Sequence, residues 1–451
     1  MIRLHRLAPA VAVWLMLTAM AHAEPMSLAD ALRQAMAHNP SIANQDVQVR
    51  QADIDYWRAQ FQRASLSLDL NGGDNYTVSG MTTASQKDQN VLFVNANSTL
   101  RVPLFTGWRI TGSIERAEQG VAERKATLFA TRQNVALSVI EAYWDNQRQQ
   151  KLYLVNQDQV KQAEEIHALA KTRLRAGAIA PIDVNRAEVT LISAQAGLIR
   201  NEGNMQVARA RLGNLLFRND DTWTLSDDPQ FQAIPDEGRE IWLARALRQR
   251  PEVQAADARL NAGKAGLTIA RSKLFPEFAL TAQYQYGNNP FRPLASSNNV
   301  LAAFEGTFDG RATMTYNLFD NAETWRRMQE AALTIESAEL DLTQTKRQIK
   351  TDVDQAHAQL TSAASRLSRL RRSIEIARST RDIMAMRYKL GAAVITDVND
   401  VQRALVSALT ENLEATIDYL VAAARLYQAV GRPLAEPSAL PPTPAPTKEQ
   451  P

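Results

Sequence analysis

Side chains that could perform enzymatic chemistry are scarce in this sequence, and their spacing fits no common catalytic arrangement. Outside the first 23 residues, histidine occurs only at His38, His167 and His357, without the spacing of metal ligands. The absence of cysteine excludes disulfides, zinc–thiolate sites and a lipid-modified N-terminal cysteine. The sequence also lacks a glycine-rich phosphate loop and the G-x-S-x-G and H-E-x-x-H motifs. We therefore expect no catalytic residue, no metal site and no cofactor.

The carboxylates that remain as candidates lie in a short segment that occurs twice. Residues 173–185 read RLRAGAIAPIDVN and residues 387–399 read RYKLGAAVITDVN, with six of thirteen positions identical. Each copy has a glycine suited to the left-handed end of a helix. Each also has an aspartate near the start of a following helix, where a carboxylate can help to satisfy free backbone amides. The segment predicts the tip of a helical hairpin, and capping and turn chemistry alone would also explain it.

Two very long helices are predicted to carry these tips. Residues 321–390 contain neither proline nor glycine, and as one helix they would run about 105 Å. Residues 109–176 predict a helix of similar length. Apolar residues of the later stretch recur at steps of three and four, which is typical of a seam between helices that pack lengthwise. The seam residues are Ile335, Ala338, Leu342, Thr345, Ile349, Val353, Ala356, Leu360, Ala363, Leu367, Leu370, Ile374 and Ala377.

The duplication extends over most of the chain. Residues 102–117 align with 316–331, and residues 28–40 resemble 243–253. Three matched blocks in the same order predict two tandem repeats rather than a short-period solenoid. The predicted organisation is a signal peptide at 1–23, a first repeat at 24–217, a linker at 218–240, a second repeat at 241–431 and a Pro-rich, disordered tail at 432–451.

The N-terminal residues predict export. A basic start is followed by an apolar run from Leu7 to Met20 and by the small-residue cleavage pattern at 21–23. A transmembrane anchor is the alternative, although the apolar run is short for one. The formal net charge of +3 includes Arg3 and Arg6, so cleavage would leave +1. The charges are interspersed, and we expect no nucleic-acid partner.

Four further segments alternate between apolar and polar residues, which is the pattern of strands with one apolar face. Their length of about ten residues suits tilted membrane strands. The four segments are 66–70, 92–104, 278–286 and 308–318, and polar connections at 79–90 and 287–299 link them in pairs. Four strands cannot close a barrel, and an open sheet in lipid would leave unsatisfied edges. Membrane strands would therefore have to form a barrel shared between subunits, with eight strands from two copies or twelve from three.

Aromatic residues gather where these strands meet the helices, which is typical of a girdle at a membrane interface. Core packing in an ordinary soluble α+β domain is the alternative. The aromatic residues assigned to the interface are Trp57, Phe61, Phe105, Trp108, Phe275, Phe319 and Trp325.

Taken together, these motifs resemble the TolC-type outer membrane efflux protein family. The resemblance rests on ALRQAMAHNP (31–40), PLFTG (103–107) and the two turn motifs, in their order and duplication. It implies a mainly α protein with membrane β, in which long hairpins form a periplasmic α-barrel and four strands contribute to a trimeric twelve-stranded barrel. It also implies a homotrimer in outer-membrane lipid, with a periplasmic adaptor (membrane fusion) protein and an inner-membrane pump of RND or ABC type as partners.

The resemblance also assigns roles to residues of the two turns. Asp397 and Asp400 match the acidic ring at the closed end of the tunnel, which would favour cations. Tyr388 and Asp183 match residues that link the two hairpins in the closed state. The family's lock arginine is replaced by Ala393, so Arg173 or Arg387 would have to substitute. The expected adaptor contacts are Gly177, Ala178, Ile179, Gly391, Ala392 and Ala393.

The sequence thus favours a passive exit duct, gated at its periplasmic tip, that does no chemistry of its own. The alternative is a periplasmic adaptor or a structural coiled-coil protein without a pore. Small-molecule efflux and type I protein secretion both fit the duct, as do several classes of pump.

Overall fold

The computed structural model describes residues 24–77, 89–218, 223–231, 234, 237–288 and 304–434. The predicted signal peptide, most of the tail, nearly all of the two strand connections and parts of the linker lie outside these ranges. Of the helices in the described ranges, none is both long enough and apolar enough to cross a bilayer.

The same order of elements occurs twice along the chain: a short strand, two helices, two long strands and two long helices. The first series is β1 (Glu24–Met26), α1 (Leu28–His38), α2 (Pro40–Phe61), β2 (Ser65–Thr77), β3 (Gln89–Phe105), α3 (Arg109–Arg175) and α4 (Pro181–Leu216). The second series is β4 (Trp223–Leu225), α5 (Arg239–Gln249), α6 (Pro251–Arg271), β5 (Glu277–Asn288), β6 (Phe304–Thr315), α7 (Glu323–Lys389) and α8 (Ile395–Val430), with a 3-10 turn at Ser272–Leu274 before β5.

The two long helices form as predicted. α3 and α7 are each a single helix of 67 residues, which corresponds to about 100 Å. The predicted seam on α7 is confirmed, because every one of its residues is buried or half-buried. Ile349, Val353 and Leu367 are its most enclosed members. Because long helices gain most of their stability from packing an apolar face, we infer that this seam stabilises α7.

The described residues form two compact units, and each unit draws on both predicted repeats. The first unit contains residues 24–45, 128–251 and 346–434, and the second contains 46–127 and 252–345, apart from the undescribed segments. The boundaries of the two compact units therefore do not coincide with those of the two sequence repeats, because α3 and α7 each contribute to both units.

The second unit contains a four-stranded antiparallel sheet with the order β2-β3-β5-β6. Directly opposite residues of paired strands share a face, so the register divides the side chains into two sets. One face is mostly apolar, and its exposed members include Leu66, Leu68, Leu70, Leu100, Leu280, Tyr284 and Phe308. The other face is polar and includes Ser65, Ser67, Asp69, Thr99, Arg101, Thr281, Gln283, Asp309 and Arg311. The alternation predicted a sheet with two unlike faces, and the structure agrees.

The fourth strand is shorter than predicted. β6 ends at Thr315, so the alternation that continues to Leu318 is not strand, and the Leu318 side chain is 87% exposed. The reason is a turn before α7, where Asn321 and Ala322 have positive φ angles of 52° and 61°. Residues 107–108 make the same left-handed pair before α3. An apolar pattern cannot reveal such a turn because it depends on the backbone.

The first unit contains a small element that the sequence did not predict, a two-stranded parallel sheet of β1 and β4. Tyr143 of α3 is fully buried beside it. Its hydroxyl donates to the carbonyl of Met26 at 3.1 Å and accepts from the amide of Asp227 at 3.3 Å. Burial is the main cause that raises the pKa of Tyr143. The phenol therefore stays protonated and joins β1 to the segment after β4.

We expect Tyr143→Phe to lower the free energy of unfolding by about 1–2 kcal/mol, because it leaves the amide of Asp227 without this partner while the ring still fills its site. Tyr153→Phe, at a half-buried tyrosine of the same helix, is the matched control and should change stability by less than about 0.5 kcal/mol. Urea-induced unfolding followed by circular dichroism measures both variants. Equal stabilities would show that the hydroxyl has no structural role.

Candidate gate at the tips of the helical hairpins

Both hairpin tips have the same backbone geometry. Gly177 and Gly391 follow α3 and α7 with φ angles of +69° and +80°, in the left-handed region where glycine was predicted. The amide of the residue after each glycine donates to the carbonyl five residues earlier, at 2.9 and 2.8 Å. The first tip then leads into α4, which begins with Pro181 as predicted.

The aspartates of the two turns lie near the helix starts but do not occupy the capping positions. Asp183 and Asp397 are in the first turns of α4 and α8, where the helix dipole favours a negative charge. The N-cap residues are Ala180 and Val394, which have no side-chain oxygen to accept an amide. The first-turn position was predicted, but side-chain capping does not account for these carboxylates.

The two tips pack side by side within the first unit. Their shared apolar cluster draws on all four long helices and consists of Ala170, Val184, Ala187, Tyr388, Ile395 and Val398. A hydrogen bond also joins the hairpins, since the side-chain amide of Asn399 donates to the hydroxyl of Thr190 at 3.1 Å. Sequence reasoning missed this polar contact. The tips are therefore a packed joint between two hairpins rather than two independent turns.

Tyr388 and Arg173 make a cation–π contact across this joint. Tyr388 is only 3% exposed, and the guanidinium of Arg173 lies over its ring at 5.0 Å from the centroid. A cation in this position is attracted by the ring. The Tyr388 hydroxyl is buried and has no hydrogen-bond partner among the described residues. Burial raises the pKa of Tyr388, and the nearby Arg173 offsets part of this shift.

The other residues that the resemblance assigned to the link between the hairpins, Asp183, Arg387 and Ala393, make no contact with Tyr388 like that of Arg173. Asp183 makes an ion pair with Arg186 at 3.7 Å, and within the described ranges it accepts no hydrogen bond from Tyr388. Arg387 is exposed, so Arg173 is the arginine that reaches the opposite hairpin. Ala393, which replaces the family's lock arginine, packs against the apolar cluster.

The two acidic candidates of the second turn are both exposed. Asp400 forms an ion pair with Arg403 one turn further along α8. Asp397 has no ion pair within the described ranges. The carboxylates are therefore accessible to an ion, and Asp397 is the less compensated of the two.

The six predicted adaptor-contact residues divide into two groups. Gly177, Ala178, Gly391 and Ala392 are exposed at the ends of the hairpins. Ile179 and Ala393 are half-buried against the cluster between the tips. The first four are therefore available to a partner, whereas the other two also stabilise the joint.

The aromatic residues assigned to the interface lie in the second unit. Phe105, Trp108 and Phe275 form an edge-to-face group, with ring centroids 5.0–6.4 Å apart. Six of the seven are exposed on the chain, namely Trp57, Phe61, Trp108, Phe275, Phe319 and Trp325, and only Phe105 is half-buried. Large exposed aromatic side chains argue against core packing within one chain.

The doubled helical hairpin, the packed tips and the two-faced four-stranded sheet define the class of outer membrane export channels. The sequence model for outer membrane efflux proteins matches residues 31–216 and 242–432. The chain therefore belongs to the outer membrane efflux protein family, whose members are channels. Membership places it in the Gram-negative outer membrane, with an extension into the periplasm.

Individual relatives are distant but match over most of their length. The outer membrane protein TolC of Vibrio cholerae is 21% identical over 407 residues, which cover 90% of each chain. The toluene efflux pump outer membrane protein TtgC of Pseudomonas putida is 22% identical over 89% of this chain and 83% of its own. The open state of the MtrE channel of Neisseria gonorrhoeae matches with a TM-score of 0.75 and 20% identity, over 90% of this chain and 89% of its own.

Proposed function

We propose that this chain is one subunit of a homotrimeric exit duct that carries solutes from the periplasmic side across the outer membrane. The duct has no catalytic residue, metal or cofactor, and the driving energy comes from an inner-membrane pump. A periplasmic adaptor protein contacts the exposed ends of the hairpins at Gly177, Ala178, Gly391 and Ala392. The joint of Arg173 and Tyr388, with Asp397 and Asp400, controls opening at the tip.

The single observation that carries this proposal is the two-faced sheet with β2 and β6 at its edges. One exposed face is apolar, as lipid requires, and the other is polar, as a water-filled lumen requires. A sheet in lipid needs both edges paired, and four strands are too few to close on themselves. Pairing of β6 with β2 of the next subunit would close twelve strands from three copies. The predicted interfacial aromatics would lie where this barrel ends.

Planar-bilayer conductance of the purified protein tests this function, with the oligomeric state measured on the same sample. We expect single-channel steps from a trimer, with a preference for cations imposed by the acidic tips. A monomer that gives no steps would contradict the duct and favour a periplasmic adaptor or structural coiled-coil protein. Heat-modifiable migration of the folded protein in gels is an independent check.

For the cargo, we propose small molecules rather than proteins. The names of two relatives support this, since they describe toluene efflux and pyoverdine export. Deletion of the gene should raise sensitivity to toxic small molecules and leave the amounts of secreted proteins unchanged. Loss of a secreted protein without a change in sensitivity would instead assign the duct to type I secretion.

A further inference from the structure

The polar face of the sheet has an uneven distribution of charge. The register places Ser65, Arg101, Thr281 and Arg311 opposite one another in a single row across all four strands. The next row is Ser67, Thr99, Gln283 and Asp309. Both arginines of this face in the described strands therefore lie in one row, with only Thr281 between them.

The two guanidinium groups differ in whether a nearby carboxylate neutralises their charge. Arg311 is 60% exposed and makes an ion pair with Asp309 at 3.1 Å. Arg101 is exposed and has no ion pair within the described ranges. From the strand spacing and rise, Asp309 lies about 12 Å from Arg101 at the level of the backbone. Asp69 is four residues further along the paired register, at about 14 Å. This row therefore has a net positive charge and unused hydrogen-bond donors.

Assembly would multiply the row. The arginines belong to β3 and β6, which are two strands apart, so their backbones are separated by about 10 Å. If β6 pairs with β2 of the next subunit, the next β3 is also two strands away. Three subunits would then present six arginines in total, one on every second strand. Rings of arginine in a pore attract anions and phosphate groups.

We propose that Arg101 and Arg311 form an anion-binding band on the polar face of the sheet, in the lumen of the proposed barrel. The band selects for solutes that carry a carboxylate, phosphate or sulfate group. This inference rests on the proposed trimeric duct. The guanidinium groups can bind such oxyanions through two parallel hydrogen bonds. The arginines belong to the second unit and the acidic tips to the first, so separate variants can test the two charged sites.

Block of single channels by inorganic tripolyphosphate, added to each side of the bilayer in turn, tests the band. We expect block of the wild-type trimer, and an apparent affinity that is about tenfold or more weaker in Arg101→Gln/Arg311→Gln. Arg101→Gln alone, which breaks no ion pair, should weaken block about threefold. Arg101→Lys/Arg311→Lys keeps the charge and should retain most of the block. Arg33→Gln, at an exposed arginine of α1, is the control for the removal of a positive charge elsewhere. Tripolyphosphate should block this variant with the same apparent affinity as the wild type.

The outcomes separate the band from the duct itself. A wild-type channel that conducts without block, or the same block in wild type and both glutamine variants, would overturn the band and leave the duct intact. A trimer without conductance would remove the duct, and the band with it. Block that is lost in Asp397→Asn/Asp400→Asn but kept in the arginine variants would place the anion effect at the tips and also overturn the band.

Discussion

Joint replacement of Asp397 and Asp400 by asparagine is expected to weaken block of the channel by Mg²⁺ about tenfold or more. Both carboxylates are exposed on the first turns of α8, and three copies would place six of them around the axis. Carboxylate rings concentrate cations at a pore mouth. Asparagine keeps the shape of the side chain and removes the charge, so the backbone of the second turn should not change.

The single variants should differ, because the two carboxylates have different surroundings. Asp400 is already paired with Arg403, whereas Asp397 has no ion pair within the described ranges. We expect Asp397→Asn to weaken Mg²⁺ block more than Asp400→Asn does. Arg403→Gln should strengthen the block, because it releases the charge of Asp400. Conductance steps recorded over a Mg²⁺ titration measure all three variants.

Asp158→Asn is the matched control for this series. Asp158 is an exposed acid of α3 outside both turns, so its loss changes the net charge equally but leaves the tips intact. Equal effects of Asp158→Asn and Asp397→Asn would mean that general surface charge, rather than a ring at the tips, attracts the cation. Unchanged block in the double variant would show that these carboxylates do not line the pore.

Local signals explain why so much of the helical architecture could be predicted. Residues 321–390 contain no proline or glycine, and residues 109–176 have glycine only near their start, so few positions could end either helix. Gly177 and Gly391 then provide the ends. Apolar residues recur at steps of three and four along α7, and this spacing predicts which side of the helix is buried, because burial follows the helical period. The two faces of the sheet follow in the same way from a period of two.

Contacts that depend on tertiary packing could not be predicted in this way. The small sheet of β1 and β4 joins segments almost 200 residues apart, and three-residue strands carry no pattern. Arg101 and Arg311 share a row only through the register of two strand pairs, β3 with β5 and β5 with β6. A sequence motif could name Arg173 and Arg387 as candidates for the hairpin link, but only the packing of the tips shows that Arg173 reaches Tyr388.

Replacement of Gly391 by alanine is expected to open the gate, whereas the same change at Gly177 is not. Both glycines have positive φ, so alanine costs about 1–2 kcal/mol of backbone strain at either position. A Cβ at Gly177 would meet no atom within 4 Å. A Cβ at Gly391 would come within 2.9 Å of a guanidinium nitrogen of Arg173. Only the second substitution therefore forces the Arg173 guanidinium to shift, and we expect this shift to weaken its contact with the ring of Tyr388.

Gly177→Ala is thus a control for strain, and the difference between the variants isolates the contact of Arg173 with Tyr388. A cation–π contact of about 1 kcal/mol corresponds to a shift of about fivefold per subunit toward the open state. Single-channel recordings without partner proteins should show a higher open conductance or open time for Gly391→Ala and for Arg173→Ala. The two changes together should add little, because they remove the same contact. Similar gating in Gly177→Ala and Gly391→Ala would assign the effect to strain in the turns, and the arginine would have no part in closing the pore.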